Sequence, residues 1–237
     1  MKKIFILIAV LATMQSCNKF GDTNVNPALL NAASTRALLT NSQQSIKSLV
    51  FANRYANFYI QHLSEGPYPG SSLYSDKNVS FGSFYTGPLM NLQTIINNNN
   101  EGSMAATGNG SKNNQIAAAR IMKAYFYMIM TDIWGDVPYT EALQGSTKYA
   151  PKYDDQKAIY TDLFKELTEA VAQINTTEAG VTGDILFNGN MTSWKLFANT
   201  MRMSMAIKLS KADAVKGKAE YAAAVASFKP SLIVGCG

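Results

Sequence analysis

The chain has 237 residues, of which 47% are hydrophobic and 16% are charged, and its formal net charge is +5. This composition supports a sizeable buried core and excludes an intrinsically disordered chain. The basic excess is small, and no cluster of lysines and arginines alternates with aromatic residues, so we expect no nucleic-acid partner.

The first 16 residues have the layout of a secretory signal peptide. Two lysines precede an apolar run from Ile4 to Ala12, which is too short to span a bilayer. The small residue Ser16 then precedes Cys17, as in bacterial lipoprotein signals. We therefore predict that residues 1–16 are removed and that lipidated Cys17 anchors the chain to a membrane. The alternative is an ordinary signal peptide in which Cys17 occurs by chance.

Cysteine and histidine are scarce in the sequence. If Cys17 carries lipid, only Cys236 remains, and no disulfide can form within the chain. A structural zinc site needs about four ligands, and His62 is the single histidine. We therefore predict neither a metal site nor a cofactor.

Residues 17–27 are polar and contain glycine and proline, so they are predicted to be a tether that leads into a folded domain at residues 28–237. Within this domain, apolar residues spaced three and four apart predict helices. The predicted helices cover residues 29–40, 43–63, 85–96, 116–134, 154–174, 191–209 and 218–228. The intervening residues 97–114 are rich in Asn, Gly and Ser and are predicted to form a loop.

The segment 116–134 is apolar on nearly all sides, which predicts a central buried helix. The helices 154–174 and 191–209 have similar lengths, and no strand pattern of comparable strength occurs. We predict an all-α fold of antiparallel helix pairs joined by long irregular loops, similar to a TPR stack. Trp134 and Trp194 lie on apolar stretches and are predicted core residues.

Catalytic patterns are weak throughout. His62 has no partners whose spacing suggests a Ser-His-Asp site, and no glycine-rich phosphate-binding motif occurs. Asp132, Asp136 and Glu141 flank Gly135 and Pro138, where capping and turn roles explain them better than a pair of glycosidase carboxylates. We therefore predict that the protein is not an enzyme.

Four segments resemble the SusD/RagB family, in the family's order and spacing. They are FGDTNVNP at 20–27, DIWGDVPYTEAL at 132–143, YDDQKAIY at 153–160, and DILFNGN at 184–190 followed by WKLFANT. The first of the internal segments is the most specific. Members of this family are surface lipoproteins of the outer membrane that bind nutrients.

The resemblance implies a lipid-anchored protein of the outer membrane, facing the cell exterior. It would bind an oligosaccharide or a peptide and deliver it to a TonB-dependent SusC-like transporter. Family members are considerably longer, and the resemblance fades after Phe228. We therefore expect this chain to correspond to the family's N-terminal half, as a fragment or with a frameshifted end.

The candidate ligand-binding residues lie in a loop rich in Gly, Pro and Ser between Glu65 and Tyr85. Sugars stack their C–H faces on aromatic rings, and function concentrates on loops. The candidates are Tyr68, Tyr74, Asp76, Asn78 and Phe81. Alternatively, these rings anchor the loop, and the protein is a helical scaffold for a transporter complex or a truncated non-functional fragment. Exposed rings would favour binding, whereas buried rings would favour the scaffold.

Overall fold

Helices dominate the structure, a computed structural model that describes residues 33–48, 54–67, 69–75 and 79–227. The longer helices are α1 (Thr35–Gln44), α2 (Arg54–Tyr59), α3 (Met90–Glu101), α4 (Lys112–Trp134), α5 (Gln156–Gln173), α6 (Met191–Lys208) and α7 (Ala214–Ser227). Shorter helical turns occur at Gly82–Phe84, Tyr85–Leu89, Met104–Ala106 and Gly145–Thr147. Strands β1 (Val137–Pro138) and β2 (Tyr153–Asp154) form one antiparallel pair. The predicted all-α fold is confirmed.

Helix α4 occupies the centre of the fold, as its apolar composition predicts. It packs against α3, α5 and α6. Ile121, Met122, Phe126 and Met130 are fully buried on it, together with the consecutive alanines 117–119. Small alanine side chains allow neighbouring helices to approach closely, and the larger side chains fill the space between them.

Most of the helices pack against the next helix along the chain. Contacts join α3 to α4, α4 to α5, α5 to α6 and α6 to α7, and α1 packs against α3. This order of contacts is that of a stack of helix pairs. The described residues from Ser34 onward form a single compact unit.

Side-chain caps set where several helices begin. Ser111 accepts a hydrogen bond from Asn114 N at the start of α4, Asp155 accepts from Lys157 N and Ala158 N at α5, and Asn190 accepts from Ser193 N at α6. Such caps satisfy N–H groups that have no partner within the helix. Helix α3 ends at Gly102, whose φ of 68° is a left-handed conformation that glycine adopts readily.

The predicted helix at 43–63 has the wrong bounds. Helix α1 continues to Gln44, whereas α2 ends at Tyr59, because Gln61 adopts a φ of 59° that no α-helix accommodates. The predicted loop at 97–114 also begins too early, since α3 extends to Glu101. Asn99 is buried on α3 and donates to Gln115 Oε1, so an asparagine that favours loops by composition serves here as a core hydrogen-bonding group.

The predicted signal peptide (residues 1–16), Cys17 and the tether (residues 17–27) lie outside the described residues. Within the described part of the chain, every helix is either too short or too polar to cross a membrane.

Candidate binding site

The aspartates of the signature segments hold the turns between α4 and α5. Asp154 accepts hydrogen bonds from the backbone N–H groups of Tyr139 (3.0 Å) and Thr140 (2.8 Å) and from the Thr140 hydroxyl (2.9 Å). Asp136 accepts from Gln156 N at 2.9 Å. These bonds connect the segment after α4 to the segment before α5, next to the β1–β2 pair.

The pKa of Asp154 is lowered from its ordinary value of 3.8. Desolvation opposes this shift, but the hydrogen bonds from Thr140 and Tyr139 stabilise the carboxylate form and outweigh it. Asp154 is therefore a charged structural group at neutral pH.

The three acids around Gly135 and Pro138, namely Asp132, Asp136 and Glu141, have structural partners. Asp136 holds the turn described above, and Glu141 accepts from Lys152 N at 3.0 Å and pairs with Lys148 at 3.1 Å. Asp132 accepts hydrogen bonds from the Tyr160 hydroxyl and the Lys208 ammonium, which lie on α5 and α6. The predicted turn role fits Asp136 and Glu141, whereas Asp132 instead links three helices.

Asp184 organises the loop before α6 from a buried position. Its Oδ1 accepts from Gln43 Nε2 (2.7 Å) and from the backbone of Leu186 and Phe187. Its Oδ2 accepts from Gly189 N and from Trp194 Nε1 at 2.8 Å. One buried carboxylate thus joins α1, the loop and α6, which explains why the segment needs Asp, Gly and Trp at these positions.

The two tryptophans differ in burial. Trp194 is fully buried, as predicted for a core residue. Trp134 is only half-buried, and its Nε1 donates to Val79 O at 2.8 Å. Trp134 therefore lies at the edge of the core, where its hydrogen bond to Val79 holds the end of the loop between Glu65 and Tyr85.

Among the candidate residues that the structure describes, Tyr74 is exposed and Phe81 is half-buried. The Tyr74 side chain is 60% accessible, and its ring stacks on Tyr59 with centroids 5.8 Å apart and planes inclined by 24°. Gln61 Nε2 donates to the Tyr74 hydroxyl at 3.3 Å, and the Tyr59 hydroxyl donates to Ser75 O at 2.7 Å. We call Tyr59, Gln61 and Tyr74 the Tyr74 platform.

The backbone of this platform is strained. Tyr74 and Gln61 have φ values of 60° and 59°, in the left-handed region that non-glycine residues seldom occupy. Strain of this kind costs about 1–3 kcal/mol and is concentrated at functional sites. This backbone conformation points the Tyr74 ring toward solvent, and the stacked Tyr59 ring restricts its rotation.

Phe81 belongs to a different group of rings. It lies edge-on to Trp134 (5.6 Å between centroids), Tyr85 (6.0 Å) and Tyr153 (6.4 Å), and we call these four residues the Phe81 cluster. Phe81 itself is half-buried and packs on the core. Its ring therefore anchors the loop, which is the role that the alternative interpretation of the sequence gives to the loop aromatics. Tyr153, in the same cluster, is 62% exposed.

Tyr85 of the Phe81 cluster contacts the buried Tyr127, which in turn contacts Tyr139. Burial raises the pKa of Tyr85, Tyr127 and Tyr139 far above the ordinary value of 10, so their hydroxyls stay neutral. Tyr85 donates to Pro138 O at 2.6 Å and Tyr139 to Asp162 Oδ2 at 2.7 Å. The Tyr85 and Tyr139 hydroxyls are therefore structural hydrogen-bond donors.

The remaining candidates are only partly covered. Tyr68, Asp76 and Asn78 lie outside the described residues. His62 is exposed, and within the described ranges no three His, Cys, Asp or Glu side chains are grouped as metal ligands. The sequence interpretation missed Tyr59 and Gln61, because both fall in a segment predicted to be helix. Tyr153 was noted only as part of a signature segment.

Comparison with known protein families identifies the family of this chain. The SusD-like family described as "Starch-binding associating with outer membrane" matches residues 27–233, so the chain belongs to this family. The family is one of outer-membrane-associated binding proteins, which agrees with the resemblance carried by the signature segments. Among curated proteins, none matches the sequence.

Solved structures with the same fold include a chitin-binding protein, at 30% identity and a TM-score of 0.69 over 82% of this chain. A Bacteroidetes AC2a SusD-like protein is 28% identical, with a TM-score of 0.68 over 82% of this chain. A SusD homolog from Bacteroides fragilis is 25% identical, with a TM-score of 0.65 over 82% of this chain. The chain spans 43%, 37% and 41% of these proteins, less than half of each.

Proposed function

We propose that the protein is a surface lipoprotein that binds a glycan and delivers it to a TonB-dependent SusC-like transporter of the outer membrane. The observation that carries the proposal is the Tyr74 platform, an exposed ring held rigidly on a second ring with an amide beside it.

The platform has the chemistry that sugar recognition needs. An exposed aromatic face accepts the C–H surface of a pyranose ring, and a neighbouring side-chain amide can exchange hydrogen bonds with sugar hydroxyls. Because the Tyr74 ring is already fixed by stacking and by its backbone conformation, little side-chain entropy is lost on binding. A flexible surface tyrosine would lose more.

The family comparison supports the same ligand class. The family description names starch, and one solved relative is a chitin-binding protein. Both are polysaccharides, so we propose an oligosaccharide rather than a peptide as the ligand. In this proposal Cys17 carries the lipid that holds the protein at the membrane.

A scaffold function has one observation in its favour. Ile60, Leu63 and Leu73 near the platform are 59%, 52% and 72% exposed. Large exposed apolar side chains in one segment are typical of protein interfaces. A scaffold that contacts a transporter through these side chains would need no ligand of its own.

Calorimetric titration of the purified chain, kept in mild detergent, with maltohexaose and with chitohexaose tests glycan binding. We expect one of the two sugars to bind and the Tyr74→Ala variant to lose about two- to tenfold in affinity, since stacking on one ring contributes roughly 0.5–1.5 kcal/mol. Tyr149→Ala is the matched control, because Tyr149 is a tyrosine 86% exposed on another loop.

Equal affinity in the wild type and the Tyr74→Ala variant would reject the platform as the site. If neither sugar binds while the chain still captures a SusC-like transporter, and Leu73→Ser abolishes the capture, the scaffold function replaces glycan binding.

A further inference from the structure

A pocket of about 260 Å³ lies between the end of α4, the first turns of α5 and α7, and the end of α6. Its charged lining consists of Lys157, Lys208, Lys216, Asp132 and Asp213. Three lysines against two aspartates leave the lining with a net positive charge. We call this the lysine pocket, and it shares no residue with the Tyr74 platform.

Both aspartates of the pocket are already engaged. Asp132 is bonded to the Lys208 ammonium and the Tyr160 hydroxyl. Asp213 accepts from Lys216 N at 3.1 Å and so caps the start of α7. The charge of Asp132 is therefore compensated by Lys208, and one oxygen of Asp213 is occupied by the backbone at the start of α7.

The other two lysines have no such neutralisation. Neither Lys157 nor Lys216 forms an ion pair with any residue in the part of the chain that the structure describes. Lys216 Nζ donates to the neutral Thr161 hydroxyl at 2.7 Å and lies 5.8 Å from the centre of the Phe164 ring. These contacts hold the ammonium across the pocket from α7 to α5 but leave its charge uncompensated.

The rest of the lining is suited to a small ring. Tyr160, Leu209 and Ala212 contribute ring, aliphatic and methyl surface. The volume is close to the lower limit of small-molecule sites, ~300 Å³, so the pocket has room for one sugar residue and not for an extended chain. A ligand that satisfies this lining combines one negative charge with a compact ring.

We propose that the lysine pocket binds the carboxylate of an acidic saccharide, a uronic-acid residue, with Lys157 and Lys216 as the two cations. The sugar ring lies against Tyr160 and Leu209. Charge-assisted hydrogen bonds from two ammonium groups are about twice as strong as neutral ones. The site therefore selects acidic over neutral saccharides.

Titration of the purified chain at low ionic strength with trigalacturonate, and with the neutral maltotriose of equal length, tests the proposal. We expect trigalacturonate to bind and the Lys157→Met/Lys216→Met variant to lose about tenfold or more in affinity. The affinity of the wild type falls as salt is added, because ions screen exposed charges. Tyr74→Ala leaves this binding unchanged, which separates it from the proposed function.

The matched control is Lys112→Met, which removes the same charge from the other end of α4. Lys112 precedes Asp132 by 20 positions on one helix, a distance of about 30 Å at 1.5 Å per residue. Circular dichroism of all variants checks that they fold. The proposal is overturned if maltotriose binds equally well, if the double variant keeps its affinity, or if sodium acetate displaces trigalacturonate at equal concentration.

Discussion

The turns that hold α4, α5 and α6 together differ from the Tyr74 platform in how their side chains are used. In the turns, the carboxylates of Asp136, Asp154 and Asp184 are taken up by backbone and side-chain donors of the protein itself. On the platform, a large aromatic ring faces solvent on a strained backbone. The comparison teaches that the family's signature residues build the frame, whereas the binding surface that we propose consists of residues outside the signature.

The largest effect on stability is expected at Asp184, the buried carboxylate that joins α1, the loop before α6, and α6. Asp184→Ala leaves five donors without their acceptor, two of them in buried hydrogen bonds, so we expect the free energy of unfolding to fall by about 3 kcal/mol. Urea denaturation followed by circular dichroism measures it. Asp184→Asn keeps an Oδ1 acceptor and loses less. A loss below about 1 kcal/mol in the alanine variant would show that the loop before α6 folds without this carboxylate.

A medium effect that depends on pH is expected at Asp154. Its pKa is lower in the folded protein than its ordinary value of 3.8, so it stabilises the fold above that pH, and the stabilisation is lost as pH falls through the folded pKa. Asp154→Asn should therefore lose about 1–2 kcal/mol at neutral pH, through weaker hydrogen bonds to Tyr139 and Thr140.

The difference between Asp154→Asn and the wild type should shrink as the pH falls through the folded-state pKa of the carboxylate, which lies below 3.8. Denaturation curves of both proteins at neutral pH and in steps below pH 3.8 test this. A difference that does not change with pH would mean that the bonds do not depend on the charge of the carboxylate.

The smallest effect is expected on the platform, where two variants isolate the backbone strain. Tyr74→Ala and Tyr74→Gly both remove the ring, but only glycine adopts a φ of 60° at no steric cost. We expect the glycine variant to be more stable than the alanine variant by about 1 kcal/mol. Urea denaturation of the pair measures the difference. Equal stabilities would show that the backbone relaxes once the ring is gone.

Fold class and the long helices could be predicted because their apolar residues repeat with a helical period over four or more turns. Helices 154–174 and 191–209 were predicted within two residues of α5 and α6 at each end. The helix predicted at 43–63 extended too far because the helical spacing of Tyr55, Phe58 and Tyr59 gives no sign that Gln61 turns the chain. Short segments are decided by tertiary contacts rather than by local preference.

The candidate site was predictable only in part for a similar reason. Gly and Pro between Glu65 and Tyr85 predicted a loop. The described residues 65–67 and 69–75 form turns and bends, whereas Gly82–Phe84 is helical, and one ring of this segment, Tyr74, is exposed. Composition cannot distinguish that ring from Phe81, which faces the core and packs on Trp134. Nor could it find Gln61, whose role depends on a side chain 13 positions away.

By itself, the sequence determined the helical class, the central burial of α4 and the family, since these depend on residue type and spacing along the chain. The tertiary structure alone decided which acids hold turns, which ring meets solvent, and that Lys157 and Lys216 share one pocket. Each of these depends on distances between residues far apart in the chain. Such distances follow from how the helices pack, and no local pattern records them.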